Sequence, residues 1–338
     1  MDFNSAKSPL HLNRPDGTRL AVYRREPNAT PDVTLVLAHG WSASSAVWDD
    51  VIRHLPADDR VRILTFDQRG HGASTQGRTP AGIGALADDL EAVLSAFSTD
   101  TPAIVAANSM GALGALEYGA RGARTTPVRI AGLLLVSASN GQIDLRLGGH
   151  PPLTRAVGSA RTAIAHACTR APRSTQYLRD LLAPSTIPRP ATDVAAAWYR
   201  AILDFDVAGR LAALQATPVH LVTGAQDRVI PPVHTCRLAA ELAHARVHVA
   251  EGASHRILAE RPALLASLLM NLVERARDHR STPTRDADGL LKAAAHLLFP
   301  RRSTLRRGGR LPWIDTWPTR CSGSPTRVRQ ETLIETSH

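Results

Sequence analysis

The sequence predicts an α/β protein with a doubly wound, mostly parallel β-sheet, an inserted helical cap and a disordered C-terminal tail. Short apolar runs alternate with segments of helical periodicity, which is the pattern of a parallel sheet covered by helices on both faces. The alternation is interrupted between residues 141 and 214, resumes afterwards, and does not return after residue 277. We therefore expect a core of residues 1–140 and 215–277, a cap of residues 141–214 and a basic tail of residues 278–338.

Short runs rich in β-branched and aliphatic residues predict the strands. The first, Thr18–Tyr23, alternates after a Pro-Asp-Gly turn signal, and the next, Val33–Ala38, is nearly all apolar, as in a buried parallel strand. The other runs are Val61–Phe66, Ala103–Ala107, Ile130–Val136, Val219–Thr223 and Val247–Val249. Helical segments are predicted at Ala46–Leu55, Ile83–Phe97, Met110–Ala120 and Pro262–Ala276.

Composition excludes several classes of protein. The 338 residues fit one α/β domain with insertions, and 43% hydrophobic with 21% charged residues is typical of a chain that folds in water. Three widely spaced cysteines, Cys168, Cys236 and Cys321, exclude a disulfide scaffold and a cysteine-based zinc site. The N-terminus lacks the apolar run of a signal peptide, and no apolar stretch is long enough for a membrane span. We expect a cytoplasmic protein.

Most of the formal charge of +10 lies after residue 274. Residues 275–338 contain 13 Lys and Arg against 6 Asp and Glu, whereas residues 1–274 contain 27 against 24. This distribution predicts no specific nucleic-acid partner, because charge runs are usually solvated. Weak contact of the tail with an anionic membrane surface is the alternative, since the amphipathic segment Gly289–Phe299 precedes an arginine cluster. The sequence leaves the oligomeric state open.

The strongest chemical signal is Ala107-Asn108-Ser109-Met110-Gly111, where an apolar strand turns abruptly into a helix. A serine on such a turn presents its hydroxyl above the carboxyl edge of the sheet, beside the first N–H groups of the helix. The alternative is an ordinary turn in which Ser109 caps the helix.

A serine hydroxyl needs an imidazole to take its proton and a carboxylate to orient that imidazole. Asp227 follows the strand Val219–Thr223, and His255 follows the last predicted strand, Val247–Val249. Parallel strands place all three loops at one edge of the sheet. We therefore predict that Ser109, Asp227 and His255 are catalytic.

The order Ser, Asp, His, with His39-Gly40-Trp41 after an early strand and Asp67-Gln68-Arg69-Gly70-His71-Gly72 after the next, resembles the α/β-hydrolase family. The resemblance covers residues 15–275 and implies the α/β-hydrolase fold with a helical cap. It also implies that the backbone N–H groups of Trp41 and Met110 form an oxyanion hole, and that Asp67 and His71 belong to a structural turn.

The resemblance implies a serine hydrolase that cleaves a carboxylic ester, like an esterase or lipase, through an acyl-enzyme on Ser109. A small-molecule substrate with an apolar acyl group is expected, without metal or cofactor. Asn108, where the family often has His, and the cap residues Trp198 and Phe205 are candidate substrate contacts.

Two alternatives remain. The same triad serves hydrolysis of carbon–carbon, amide or thioester bonds, acyl transfer and cofactor-free perhydrolysis, because the fold does not choose the leaving group. The other alternative is a non-catalytic ligand-binding member of the fold, in which Asn108 marks a lapsed site.

Overall fold

A computed structural model describes residues 8–58, 60–121, 130–141 and 190–281 together with Val128 and Ile143. Eight strands in it form one sheet in the order β1-β2-β4-β3-β5-β6-β7-β8. Strand β2 pairs antiparallel with β1 and β4, and the pairs from β4 to β8 are parallel. The strands are β1 (Leu10–Asn13), β2 (Arg19–Arg25), β3 (Val33–Ala38), β4 (Val61–Phe66), β5 (Ala103–Asn108), β6 (Ile130–Val136), β7 (Val219–Gly224) and β8 (Arg246–Ala250).

Helices cover both faces of this sheet, which confirms the predicted fold class. The helices are α1 (Asp49–His54), α2 (Ile83–Phe97), α3 (Met110–Arg121), α4 (Thr192–Leu203), α5 (Pro232–Glu241), α6 (Ile257–Glu260) and α7 (Pro262–Ser281). Short 3₁₀ helices occupy Ser45–Trp48 and Leu211–Leu214.

The sheet separates two apolar cores. Alternate side chains of β3 point to opposite faces, so that Val36 joins the core beneath α2 and α3 while Leu35 joins the core beneath α1 and α7. The side chains of Val36 and Leu35 are completely buried. A strand that is apolar on both sides can lie only between two layers of helices, which is why Val33–Ala38 occupies the middle of the sheet.

The structure adds elements that the sequence pattern did not predict. These are the strand β1 and the helices α5 and α6. The last helix, α7, extends to Ser281, four residues beyond the predicted core boundary at 277. Residues 282–338 of the predicted tail lie outside the described residues, as do residues 144–189 of the predicted cap.

The described part of the predicted cap contains α4, which lies over the carboxyl edge of the sheet. Trp198 of this helix is completely buried, and its indole Nε1 donates a hydrogen bond of 3.0 Å to Oε1 of Gln76 in the loop after β4. The helix is thus attached to the core at the edge where the predicted site residues lie. Among the helices described, none is both long and apolar enough to cross a membrane.

Candidate active site

Ser109 occupies the sharp turn between β5 and α3. Its φ of 50° is unusual for a residue with a side chain. Hydrogen bonds on both sides hold the turn. The Ser109 N–H donates to the carbonyl oxygen of Val136 in β6 at 2.9 Å, and the Ser109 carbonyl accepts the N–H of Ala112 in α3 at 2.8 Å. The Ser109 hydroxyl is therefore attached to a backbone that is held in place at the edge of the sheet.

Gly111 allows the first turn of α3 to approach the loop after β3. A Cβ atom at this position would lie 2.6 Å from the carbonyl oxygen of His39, a separation that side chains do not tolerate. A larger residue would move the N-terminus of α3, and with it the N–H of Met110, away from the loop that carries Trp41. This contact therefore requires glycine at the second position after the serine.

The structure brings Ser109, Asp227 and His255 together in one hydrogen-bonded row. His255 Nε2 lies 3.2 Å from Ser109 Oγ, and His255 Nδ1 lies 2.8 Å from Asp227 Oδ2. Because a carboxylate only accepts hydrogen bonds, the proton of the neutral imidazole belongs on Nδ1. Nε2 is then left as an acceptor facing the serine hydroxyl, the arrangement that a general base requires.

Asp227 is held from several sides. Its side chain is fully buried, whereas that of His255 is 15% exposed. Oδ1 accepts the backbone N–H groups of Val229 and Ile230, each at 2.9 Å, and Oδ2 accepts the Ser137 hydroxyl in addition to His255. Sequence reasoning did not find Ser137, and its conformation, with a φ of 51°, has no sequence signature.

The loop after β3 brings Gly40 against the serine. A Cβ atom at Gly40 would lie 3.2 Å from Ser109 Cβ and 2.9 Å from Asn108 Oδ1. The loop that carries Trp41 therefore lies against the serine turn, from which α3 begins at Met110. The resemblance assigns the oxyanion hole to the backbone N–H groups of these two residues, and that assignment stays a prediction.

His39 holds this loop as a neutral imidazole. Complete burial lowers its pKa. Nε2 accepts the backbone N–H of Gln68 at 2.9 Å, so that Nδ1 carries the proton and donates to the Gly40 carbonyl at 2.7 Å. The Gln68 side-chain amide also donates to the His39 carbonyl. The two loops are thereby joined, as the resemblance implied.

Asp67 and His71 lie in that second loop and face the interior. Asp67 accepts the backbone N–H groups of Ser45 and Ala73 at 2.7 and 2.8 Å. Burial lowers the pKa of His71 to about 3, and its ring lies 5.5 Å from the His39 ring. These contacts fix loops and leave neither side chain exposed to a substrate.

The side chain of Trp41 connects its loop to helix α4. Its indole Nε1 donates to the Ala195 carbonyl of α4 at 2.9 Å, and its ring packs 5.4 Å from that of Tyr199. The Tyr199 hydroxyl is buried, and burial raises its pKa. Helix α4 therefore contacts Trp41, the residue that follows Gly40 in the loop beside Ser109.

The three candidate substrate contacts lie in different surroundings. Asn108 is partly buried, and its Nδ2 donates a long 3.5 Å hydrogen bond to the Val136 carbonyl. Trp198 and Phe205 are buried and join the core beneath α2 and α3. The position of these two indicates attachment of α4 to the core, and a role in binding substrate stays a prediction. Within the described residues, no group of three or more His, Cys, Asp or Glu side chains is arranged to hold a metal ion.

The chain is similar to known proteins over most of its length. A family profile described as the alpha/beta hydrolase family matches residues 35–268. A pimeloyl-[acyl-carrier protein] methyl ester esterase from Neisseria meningitidis is 30% identical over 274 residues, which are 77% of this chain and 84% of that protein.

Of two further similarities, one covers about a third of this chain and the other concerns the fold alone. A probable oxidoreductase, EphD, from Mycobacterium tuberculosis is 38% identical over 113 residues, 32% of this chain, and the chain spans only 18% of its length. A solved structure from work on carboxylesterases of the thaumarchaeon Nitrososphaera gargenis superposes with a TM-score of 0.60 at 17% identity, covering 80% of this chain and 100% of that one.

Proposed function

The chain belongs to the alpha/beta hydrolase family, and on that premise we propose that it is a serine esterase that cleaves carboxylic esters through an acyl-enzyme on Ser109. The observation that carries the proposal is the position of His255, which contacts Ser109 Oγ with one ring nitrogen and Asp227 Oδ2 with the other. The relative named as a methyl ester esterase supports an ester as the bond that is cleaved.

The first step is acylation of the serine. Ser109 Oγ attacks the ester carbonyl while its proton passes to His255 Nε2, which is the unprotonated nitrogen of the imidazole. Asp227 holds Nδ1–H and stabilises the imidazolium that forms. The carbonyl oxygen becomes an oxyanion, for which the N–H groups of Trp41 and Met110 are the proposed donors. The intermediate collapses when His255 returns the proton to the departing alkoxide, which leaves as an alcohol.

The second step repeats this chemistry with water. His255 takes a proton from a water molecule, the resulting nucleophile attacks the acyl-enzyme, and the carboxylic acid leaves as Ser109 regains its proton. The hydrogen bond of 3.2 Å between Ser109 and His255 is at the long end of the range, which is common before a substrate compresses the site.

The substrate is proposed to be a small molecule with an apolar acyl group. The support is the pair of rings formed by Trp41 and Tyr199 beside the loop that faces Ser109. Rings of this kind favour apolar groups and leave the polar contacts to the backbone N–H groups and the triad.

A panel of p-nitrophenyl esters of increasing acyl length, with methyl esters of the same acids, tests the proposal. The wild-type protein is expected to hydrolyse some of them, and Ser109→Ala is expected to lose turnover by several orders of magnitude while retaining its melting temperature. A folded wild-type protein that turns over no ester of any length, or a Ser109→Ala variant with undiminished activity, would refute the assignment.

A further inference from the structure

Backbone strain in the described residues marks three serines at one edge of the sheet. Ser42, Ser109 and Ser137 are the residues other than glycine that have a positive φ there, at 57°, 50° and 51°. Each follows a strand of the parallel sheet. Such conformations cost free energy and cluster at functional sites. Ser109 is the proposed nucleophile and Ser42 follows Trp41, so Ser137 is the one that the proposed mechanism leaves without a role.

The Ser137 hydroxyl contacts the acid of the triad. It is completely buried and donates a hydrogen bond of 2.8 Å to Asp227 Oδ2, the same oxygen that accepts His255 Nδ1 at 2.8 Å. We propose that Ser137 is a positioning residue for catalysis, which fixes the Asp227 carboxylate so that His255 is held toward Ser109. This inference rests on the proposed esterase function.

The lone pairs of the carboxylate explain how one hydroxyl can orient the Asp227 side chain. A carboxylate oxygen has two lone pairs in the carboxylate plane. The Ser137 hydroxyl occupies one lone pair of Oδ2 and thereby leaves the other directed at His255 Nδ1. The two N–H groups that bind Oδ1, from Val229 and Ile230, hold only the opposite oxygen. Without the hydroxyl, Oδ2 has fewer constraints, and the orientation of the imidazole that depends on it broadens.

The end of β6 also relates the acid to the nucleophile. The Val136 carbonyl accepts the Ser109 N–H at 2.9 Å, and the next residue, Ser137, donates its own N–H to the Val222 carbonyl of β7 at 2.8 Å. Two consecutive residues of one strand end therefore hold the nucleophile turn on one side and the carboxylate on the other. The positive φ at Ser137 turns its hydroxyl toward Asp227 at this point.

Ser139 supplies a matched control. It lies two residues later and is likewise completely buried, but its hydroxyl donates to the Gly141 carbonyl at 2.8 Å and lies 3.2 Å from His234 Nδ1. Ser139→Ala thus removes a buried hydroxyl from the same loop without touching the triad. A loss of activity caused by general loosening of this loop would occur in both variants.

The test measures Ser137→Ala and Ser139→Ala on the best ester of the panel. Ser137→Ala is expected to lower kcat about 10-fold with KM within about twofold, because a hydrogen bond to a charged group is lost from the transition state. Ser139→Ala is expected to keep the wild-type kcat. If Ser137→Ala does not fold, Ser137→Gly takes its place, since glycine adopts the positive φ without strain.

A spectroscopic readout separates positioning from a purely structural effect. The downfield proton NMR signal of the His255 Nδ1–H that is bound to Asp227 is expected to shift or broaden in Ser137→Ala and to remain in Ser139→Ala. Wild-type kcat with an unchanged signal in Ser137→Ala, or an equal loss in both variants, would overturn the proposal. If the folded wild-type protein hydrolyses no ester, the esterase function fails, while the NMR comparison still decides whether Ser137 orients the Asp227–His255 pair.

Discussion

Replacing Gly40 by alanine should displace the proposed nucleophile without unfolding the protein. The added Cβ would lie 3.2 Å from Ser109 Cβ, whereas carbon atoms in van der Waals contact are about 3.5–4.0 Å apart. The neighbouring Asn108 Oδ1, at 2.9 Å, belongs to a side chain that can rotate. The contact with Ser109 is relieved only if the serine turn or the Gly40 loop moves by about 0.3–0.8 Å.

A displacement of this size should lower the rate substantially. Since a misplacement of about 1 Å can cost about 100-fold, we expect Gly40→Ala to lower kcat/KM on p-nitrophenyl esters about 10-fold. The melting temperature should change little, because the contact is relieved by a local shift of less than about 1 Å. The rate of covalent labelling by a fluorophosphonate should fall in parallel, since it depends on the same hydroxyl.

Gly114→Ala is the matched control for this prediction. Its added Cβ would lie 2.9 Å from Leu86 Cβ, in the packing of α3 on α2 and away from the serine. The same chemical change should here alter stability, through overpacking, and leave kcat/KM at the wild-type value. Wild-type kcat/KM in Gly40→Ala, or an equal fall in both variants, would show that the contact between Gly40 and Ser109 does not set the position of the nucleophile.

The remaining predictions concern buried charge and titration. Arg69→Met should lower the free energy of unfolding by about 2 kcal/mol in urea denaturation, because it removes both hydrogen bonds of 2.6 Å to Asp89, a carboxylate that is 1% exposed and then keeps only its 3.1 Å contact with Arg14. A loss below about 1 kcal/mol would contradict this, and Asp89→Leu in the Arg69→Met background should recover stability. Acidification should also destabilise the protein through His220, because burial and the adjacent His248 lower its pKa to about 4. The unfolded chain takes up this proton near pH 6.5 and the folded chain only near pH 4, so that stability is complete above about pH 6.5 and falls by about 2 kcal/mol toward about pH 4.5. His220→Gln should reduce that slope in urea denaturation, and an unchanged slope would contradict the assignment.

The sequence pattern was sufficient for the strands of the central sheet. Val33–Ala38 and Val61–Phe66 begin and end in the structure where their apolar runs predict. Strand β1 was not predicted because its residues, Leu10–Asn13, pair at the sheet margin and are largely exposed. Helix α5 was missed because Pro232–Glu241 consists mostly of polar and small residues and has few large apolar side chains.

Local sequence patterns predict the residues of the site but not the contacts that orient them. Ser109, Asp227 and His255 each come directly after an apolar run, so that their meeting at one edge follows from parallel strands. The contacts that orient them join distant parts of the chain. Ser137 binds Asp227 across 90 positions, and the Trp41 indole donates to Ala195 across 154. No local pattern encodes such contacts, because they depend on how the packed elements lie in space.

The rate of covalent labelling by a fluorophosphonate tests most directly whether His255 activates Ser109. We expect one label per chain on Ser109, found by peptide mass mapping, with labelling slowed by orders of magnitude in His255→Ala. His244→Ala is the control, because this exposed imidazole binds the Thr217 carbonyl, ahead of β7 and away from the carboxyl edge of the sheet. Wild-type labelling rates in His255→Ala, or a folded wild-type protein labelled elsewhere or not at all, would contradict the activation of Ser109 by His255.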